Sequence, residues 1–452
     1  MKQILRELVK GKKVAILGFG REGKSTLRFL MNMGADKYSC LSILDKNDIV
    51  DETFGVETIV GADYQFNLND YDVVIKSPGI VLEEDISSYK CNITSQTEIF
   101  FEAYRDRIIG ITGTKGKSTT TTLVHHILKC AGHDCILAGN IGIPAFDIVG
   151  DIHDKSIIVF EMSSHMLEYM KVSPHIGVLM NIYEEHLDHY GTMEKYVAAK
   201  ENIYANQTEQ DICFINSLLA ESAKRASSKL FTVSNEDDTA DIFISHTHVI
   251  NNINNTEFYI PEYEINLIGE HNYFDIAIAY GITEYIGIDK NDFMEGLKSY
   301  VPLPHRLEYI GTVDGVRYYD DSISTICDTT IQALKSVPDV ETIIIGGMDR
   351  GIDYTDLIEF LSTDRVSNII LMYDTGLRIY NEIKILLDEN KFINFQRVHI
   401  VEDLEQAVKM AKTLTKVGKS CVMSPGAASY GIFKNFEDRG NVYRELVKCN
   451  KK

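Results

Sequence analysis

The stretch GITGTKGKSTTTTLVHHIL, residues 110–128, runs from an apolar strand-like segment through a glycine-rich turn into a helix-like segment. A turn of this kind suits phosphate. Gly113 and Gly116 let the backbone fold tightly and aim N–H groups at an anion, with Thr114 and Lys115 between them. Lys117 adds a positive charge, and the hydroxyl of Ser118 or Thr119 can hold magnesium. The chemistry expected here is binding of a nucleoside triphosphate. The match to G-x-x-x-x-G-K-[ST] is imperfect, because the residue five before Gly116 is Ile111 and the nearest upstream glycine, Gly110, lies one further back.

Other candidates stand at the ends of apolar runs. Glu161 follows IIVF and is read as a magnesium ligand beside the phosphate loop, against the plainer reading of a solvated strand-end carboxylate. In NIYEEHLDHY, His186 and Asp188 follow the run IGVLM and are read as completing a metal site or a lysine network. Lys200 lies among alanines and aromatics in YVAAKENIY; spacing alone favours a helix lysine snorkelling outward, the alternative being a ligating or chemically modified lysine. Near the start, Gly18, Gly20 and Gly23 in GFGREGKS fit G-x-G-x-x-G, with Asp45 at about the distance of a ribose-binding acid. A diphosphate there would sit over the helix beginning near Arg21. Ser77, Pro78 and Gly79 follow a further strand-like run. In the last third, His305, Arg306, Asp321 and Arg350 occupy loop positions where arginine suits phosphate or carboxylate.

The elements that must position these groups alternate along the chain. Strand-like runs VAILGF, LSILDK and YDVVIKSPGI open it; Ile108–Thr112, SIIVFE and IGVLMN follow, with MEKYVAAKENIYA helical among them. ETIIIGG, SNIILMY and SCVMSP alternate with helices to the end. The pattern is α/β with mostly parallel sheets, and the alternating segment from VSNEDDTADIF to INLIG predicts a small antiparallel patch. A chain of 452 residues suggests about three domains. Its net charge of -21 disfavours nucleic acid and acidic lipid as partners, while leaving room for a phosphate site built from a few lysines. The eight cysteines form no CxxC pair and no metal-ligand spacing with histidine, so reduced thiols are expected. No leader pattern and no segment of membrane-spanning length stands out, and the expectation is a soluble, cytoplasmic protein.

In order, TGTKGKST, GNIGIPAF, FEMSSHMLE, NIYEEHLDHY, AAKENIY, GEHNYFD, LPHRLEYIG and SPGAASYGIFKNFEDRGNVY span nearly the whole chain, and together they resemble the Mur ligase family. That resemblance implies a UDP-binding Rossmann-like domain (1–105), a central P-loop ATP-binding domain (106–302) and a Rossmann-like C-terminal domain (303–452). It places Lys117 on the ATP phosphates, Ser118 or Thr119 with Glu161 on magnesium, and His186 with Lys200 on a second magnesium, Lys200 being carbamylated. Lys117, His186 and Lys200 are thereby the implied catalytic set. Gly20, Arg21, Asp45, Ser77 and Asn140 are implied in binding the UDP-muramoyl substrate, and Asn272, Arg306 and Asp321 in binding nucleotide. Thr325, Arg350, Ser429 and Phe436 are implied in receiving glutamate.

The pairing of SPGI with FKNFEDRG looks most like the members that add glutamate to UDP-N-acetylmuramoyl-L-alanine in peptidoglycan precursor synthesis. The implied reaction is an ATP-dependent amide ligation through an acyl phosphate, by a monomer, with D-glutamate favoured and L-glutamate the alternative. Lys115 stands where asparagine is common, Arg350 where lysine is, and Ile323 and Ile326 where glutamate-adding members usually show lysine and asparagine. Arg21 and Glu22 make the uracil-side loop more charged than is usual in those members. A folylpolyglutamate synthase-like ligase is the second enzyme reading, opposed by the unit that precedes the phosphate loop. A non-catalytic ATP-binding regulator is the third, opposed by the intact Lys117, Glu161, His186 and Lys200.

Overall fold

The computed structural model describes residues 1–33, 38–49, 53–141, 143–224, 226–267, 269–363, 365–388 and 397–449. The apolar runs become strands. β1 (Lys13–Leu17), β2 (Cys40–Asp45), β3 (Glu57–Val60), β4 (Val73–Lys76) and β5 (Asn92–Thr94) form an all-parallel sheet in the order β3-β2-β1-β4-β5.

A second sheet contains β6 (Ile108–Thr112), β7 (Cys135–Gly139), β8 (Ile157–Glu161), β9 (Ile176–Leu179), β10 (Ile212–Asn216) and β11 (Lys229–Ser234). It ends in β12 (Ile242–Ser245), β13 (His248–Asn251) and β14 (Thr256–Tyr259). Its order is β14-β13-β12-β11-β10-β9-β6-β8-β7, parallel except for the antiparallel ribbon β12–β14 that the alternating sequence predicts. Every residue of β6 and β9 is buried, as parallel strands covered on both faces require.

The third sheet runs β15-β16-β20-β17-β18-β19, from β15 (Glu308–Val313), β16 (Val316–Asp320), β17 (Val340–Gly346), β18 (Asn368–Met372), β19 (Val398–Val401) and β20 (Ser420–Met423). Only β15 is antiparallel.

These three sheets pack as two compact units, Met1–Pro261 with Tyr273–Tyr300, and Glu262–Asn272 with Val301–Lys452. The first two sheets share the first unit because one core joins them. Phe100 and Phe101, on the helix Gln96–Tyr104, meet Phe160 of β8 with ring centroids 5.9 and 5.2 Å apart, and Phe29 meets Phe146 at 4.8 Å. Polar groups reinforce the seam: Ser25 and Arg28 both donate to Asp147, and Gln96 Nε2 donates to Ser25 and Thr26. No helix among the described residues is long and apolar enough to cross a membrane, and all eight cysteines are free thiols.

The turn between β1 and the helix Arg21–Asn32 depends on one close approach. A Cβ on Gly23 would lie 2.1 Å from the Gly18 carbonyl oxygen, whereas one on Gly20 would meet nothing within 4 Å. Gly23→Ala is therefore expected to destabilise the protein by about 2 kcal/mol or more. Gly20→Ala should stay within about 1 kcal/mol. Urea denaturation of the two variants checks the contrast.

Candidate active site

The phosphate loop joins β6 to the helix Lys117–Cys130, and Gly116 caps that helix at φ 81, a left-handed conformation that glycine adopts freely. The loop is held from beside it. Asn181, two residues past β9, accepts at Oδ1 from the N–H groups of Thr114 (3.0 Å) and Lys115 (2.8 Å), and its amide donates back to the Lys115 carbonyl (3.1 Å). Thr114 Oγ1 and the Tyr196 hydroxyl share a further bond of 2.9 Å. The first-turn N–H groups of Lys117, Ser118 and Thr119 have no acceptor within the helix and are the natural anion seat.

Behind the loop, Lys200 is 1 % exposed and donates to the Gly113 carbonyl at 2.7 Å, with its ammonium 5.0 Å from the Tyr196 ring centroid. The snorkelling expected from spacing does not occur, because the helix Met193–Glu201 turns this position inward under the phosphate loop. Burial, helped by the charge of Lys117, pushes the Lys200 amine down to about 6. Lys117 Nζ bonds the Thr114 carbonyl at 2.8 Å, and Lys115 Nζ pairs with Glu185 at 3.3 Å.

Glu161 is likewise buried rather than solvated. Pairing with Ile111 across the β6–β8 register brings it to the loop end of the sheet. It is 0 % exposed; Oε1 accepts from Asn140 Nδ2 at 2.8 Å, while Oε2 has no hydrogen-bond partner. A buried carboxylate oxygen left unpaired is costly, and the hard oxygen donors of Glu161, Ser118 and Thr119 fit magnesium.

His186 begins the short helix Leu187–Tyr190 at φ 59, with Nε2 3.9 Å from Glu185. The side chain of Asp188 lies outside the described residues. A cleft of about 310 Å³ is lined by Lys117, Asn140, His186 and Lys200 together with Pro78 and Gly79 from the first sheet. His165 also lines it, and burial and the neighbouring His189 push this imidazole down to about 4, which keeps it neutral.

On the first sheet, Asp45 Oδ2 accepts from Phe19 N–H at 2.6 Å, and Ser77 Oγ donates to the Gly18 carbonyl at 2.9 Å. Both residues thus shape the glycine turn that the sequence assigned to a ligand. Gly20 caps the helix that follows, and exposed Arg21 reaches the Asn140 carbonyl at 3.4 Å. The charged neighbour Glu22 is pushed up to about 7 by burial.

The second unit holds the remaining candidates. Asp321 is buried, accepts from Ser424 Oγ (2.7 Å) and Leu307 N–H (3.2 Å), and is pushed up to about 6 by burial. Arg306 acts against that rise through its charge, and its buried Nε has no hydrogen-bond partner. Arg350 is exposed and donates to the Thr325 carbonyl at 3.1 Å, which brings two of the expected glutamate residues together. Phe436 opens the helix Phe436–Lys448, and its carbonyl accepts from Ser322 Oγ at 2.8 Å. Ser429 and Asn272 are both buried.

Sequence reasoning passed over Asn181, Tyr196, Ser322 and Arg439. Arg439 is 0 % exposed and donates to Ser322 Oγ (3.0 Å), the Ser322 carbonyl (2.8 Å) and the Ala427 carbonyl (3.0 Å), clamping the turn after β16 to the loop after β20. Asn181, Tyr196 and Arg439 lie in or beside the motif segments and Ser322 follows the candidate Asp321, so their neighbourhood was marked although their bonds were not.

Residues 111–283 match the family model described as the Mur ligase middle domain. Over 97% of its length the chain is 32% identical to the UDP-N-acetylmuramoylalanine–D-glutamate ligase of Lachnoclostridium phytofermentans, covering 98% of that protein. It is also 32% identical to the ligase of the same name from Clostridioides difficile, across 97% of this chain and 99% of that one. Among solved structures, UDP-N-acetylmuramate-alanine ligase from Thermotoga maritima aligns with TM-score 0.60 at 16% identity, covering 96% of this chain and 98% of that one. MurF ligase from the same organism, in complex with ADP, aligns with TM-score 0.58 at 16% identity, covering 99% and 98%. At such identities these two share the fold.

Two outcomes follow from the loop geometry. Asn181→Ala removes the side-chain acceptor of the Lys115 N–H and one of the two acceptors of the Thr114 N–H, whose bond to the Asn181 carbonyl (2.9 Å) remains, and ATP binding by titration calorimetry is expected to weaken about fivefold or more. The buried amine of Lys200 holds a proton less readily than in the unfolded chain, so the unfolded chain binds the extra proton between about 6 and 10.5. Wild-type stability therefore carries a term that rises with pH across that window. In carbon dioxide-free buffer, Lys200→Met should gain on wild type as the pH is lowered from about 9 to about 6, read from urea midpoints.

Proposed function

The chain belongs to the Mur ligase family, and from that we propose that it is the ligase joining D-glutamate to UDP-N-acetylmuramoyl-L-alanine, driven by ATP, in peptidoglycan precursor synthesis. The observation that carries the reading is the cleft in which Pro78 and Gly79 of the first sheet face the same space as Lys117, His186 and Lys200. A nucleotide sugar held over the β1 turn would present its acyl end to the terminal phosphate of a bound ATP. We assign residues 1–105 to the UDP-sugar domain, 106–302 to the ATP domain and 303–452 to the glutamate and nucleotide domain. The protein acts as a monomer in the cytoplasm.

The substrate carboxylate attacks the γ-phosphorus, the bond to the β-phosphate oxygen breaks, and ADP leaves an acyl phosphate. The amine of glutamate then adds to the acyl carbon, and inorganic phosphate departs from the tetrahedral intermediate as the amide forms, the amine losing its proton. Lys117 and the first-turn N–H groups of its helix neutralise charge on the transferring phosphoryl group. Asn140, anchored on Glu161, orients the muramoyl portion. Magnesium supplies neutralisation of phosphate charge; Ser118 or Thr119 with Glu161 would hold one ion, and His186 with Lys200 a second. A neutral buried amine is the form that takes up carbon dioxide, so the depressed Lys200 suits carbamylation, which converts it to an anionic ligand. In the second unit Arg350, tied to Thr325, supplies the cation for glutamate that Ile323 does not.

Phosphate release is expected with ATP, magnesium, UDP-N-acetylmuramoyl-L-alanine and D-glutamate, and not when either acceptor is omitted. Turnover with L-glutamate alone would move the amino-acid specificity, and silence with both would sink the assignment. Lys200→Ala is expected to lose activity without recovery in bicarbonate, because no amine remains to carbamylate. Substantial activity in that variant would count against the modified lysine.

A further inference from the structure

Two anions must meet in the cleft, the substrate carboxylate and the terminal phosphate of ATP, and like charges at short range repel. Each of the two lysines that line it gives a bond to the phosphate loop, Lys117 to the Thr114 carbonyl and Lys200 to the Gly113 carbonyl. A wall group whose hydrogen-bonding capacity is wholly unspent is the natural addition to them for recognising the carboxylate. Asn140 gives one of its two amide N–H groups to Glu161, and the Tyr196 hydroxyl is bonded to Thr114.

His165 stands apart. It lines the cleft and also, with Pro78, the smaller void of about 20 Å³ beside it, so it sits where the loop of the first sheet meets the second. Its ring is held edge-on by His189 (centroids 4.3 Å, 85°) and His186 (4.8 Å, 72°), and His189 is itself fixed by Glu168 at 3.1 Å. Among the described residues His165 makes ring contacts and no hydrogen bond. An imidazole ring carries at least one N–H donor, and here it is not spent on the protein.

Resting on the function proposed above, we propose that His165 is a further substrate-contacting residue, whose ring N–H donates to the carboxylate of the UDP-muramoyl-alanine as it approaches the phosphate loop. The contact orients the nucleophile and offsets the repulsion between the two anions.

Phosphate release by the full-length protein tests this, with the UDP substrate varied at saturating ATP and D-glutamate, and then with ATP varied. His165→Phe keeps a ring of similar size without the donor, and His165→Ala makes the same comparison should phenylalanine not be accommodated. In the variant lacking the donor, kcat/KM for the UDP substrate is expected to fall about tenfold or more, with KM for ATP unchanged. His165→Gln, which restores an N–H donor, is expected to recover much of the loss. Manganese binding followed by electron paramagnetic resonance should be the same in all of them. A donor-less variant with wild-type kcat/KM overturns the proposal, as does a glutamine variant that recovers nothing. So does weakened manganese binding, which would make His165 a cation ligand instead. A wild type silent with the UDP substrate overturns the functional reading and this contact with it, whereas an active wild type beside an unimpaired variant sinks the contact alone.

Discussion

The site rests on the side chain of Asn181. A glycine-rich turn has few side chains to pack, so its shape comes largely from bonds to its backbone, and an asparagine amide is suited to that because it both donates and accepts. Asn181 takes the N–H groups of Thr114 and Lys115 and returns a bond to the Lys115 carbonyl. With those dipoles satisfied, the first-turn N–H groups of Lys117, Ser118 and Thr119 are left as the donors facing an incoming phosphate. The register of β6 with β9 sets up this strap, since Thr112 pairs with Leu179 and the two strands end side by side. Lys200 closes the arrangement from below through the Gly113 carbonyl. Donors held in place before the ligand arrives need no reorganisation during reaction, which is where electrostatic catalysis draws its strength.

A second constraint makes the first two sheets one body. Besides the aromatic seam, a buried polar chain crosses between them: Lys76 at the end of β4 lies 3.6 Å from Glu168, which also accepts from His189 at 3.1 Å. Burial pushes Lys76 down, and Glu168 is the main influence restoring it. Such pairs add little net stability, because desolvation offsets the attraction, but either partner alone would leave a buried charge. The pairing therefore favours one docking of the sheets, and the docking sets the distance from the glycine turn after β1 to the phosphate loop.

How much of this could be read from the chain differs by residue. The phosphate loop was legible because its function is backbone geometry, which glycine spacing encodes directly. Glu161 was legible in place but not in burial, since strand-end carboxylates are usually solvated and only the partner strands decide otherwise. Lys200 was read the wrong way from spacing, because a nine-residue helix with mixed faces does not declare which side turns inward. Asn181, Tyr196 and Arg439 act through bonds to residues far away in sequence, and no local pattern announces such a bond. The seam was hidden for the same reason. Each half has its own strand–helix alternation, and nothing local says that Phe100 and Phe101 will meet Phe160.

The third sheet separates what fixes a turn from what varies within it. The turn after β16 is held by Arg439, whose three bonds reach Ser322 and the Ala427 carbonyl, and by Ser424 on Asp321. None of these bonds involves the side chain of Ile323 or Ile326. The helix Cys327–Ser336 begins at Ile326 with no side-chain cap, a loss of about 1 kcal/mol relative to an asparagine there. The departures from the family pattern therefore cost some local stability and leave the backbone of the turn in place. What they change is charge. With isoleucine at position 323, Arg350 on the Thr325 carbonyl is an exposed cation attached to this turn, and a planar guanidinium engages a carboxylate through paired N–H groups where an ammonium offers a point charge. Under the function proposed above, the turn would keep its shape and receive an acidic amino acid by a different geometry of recognition.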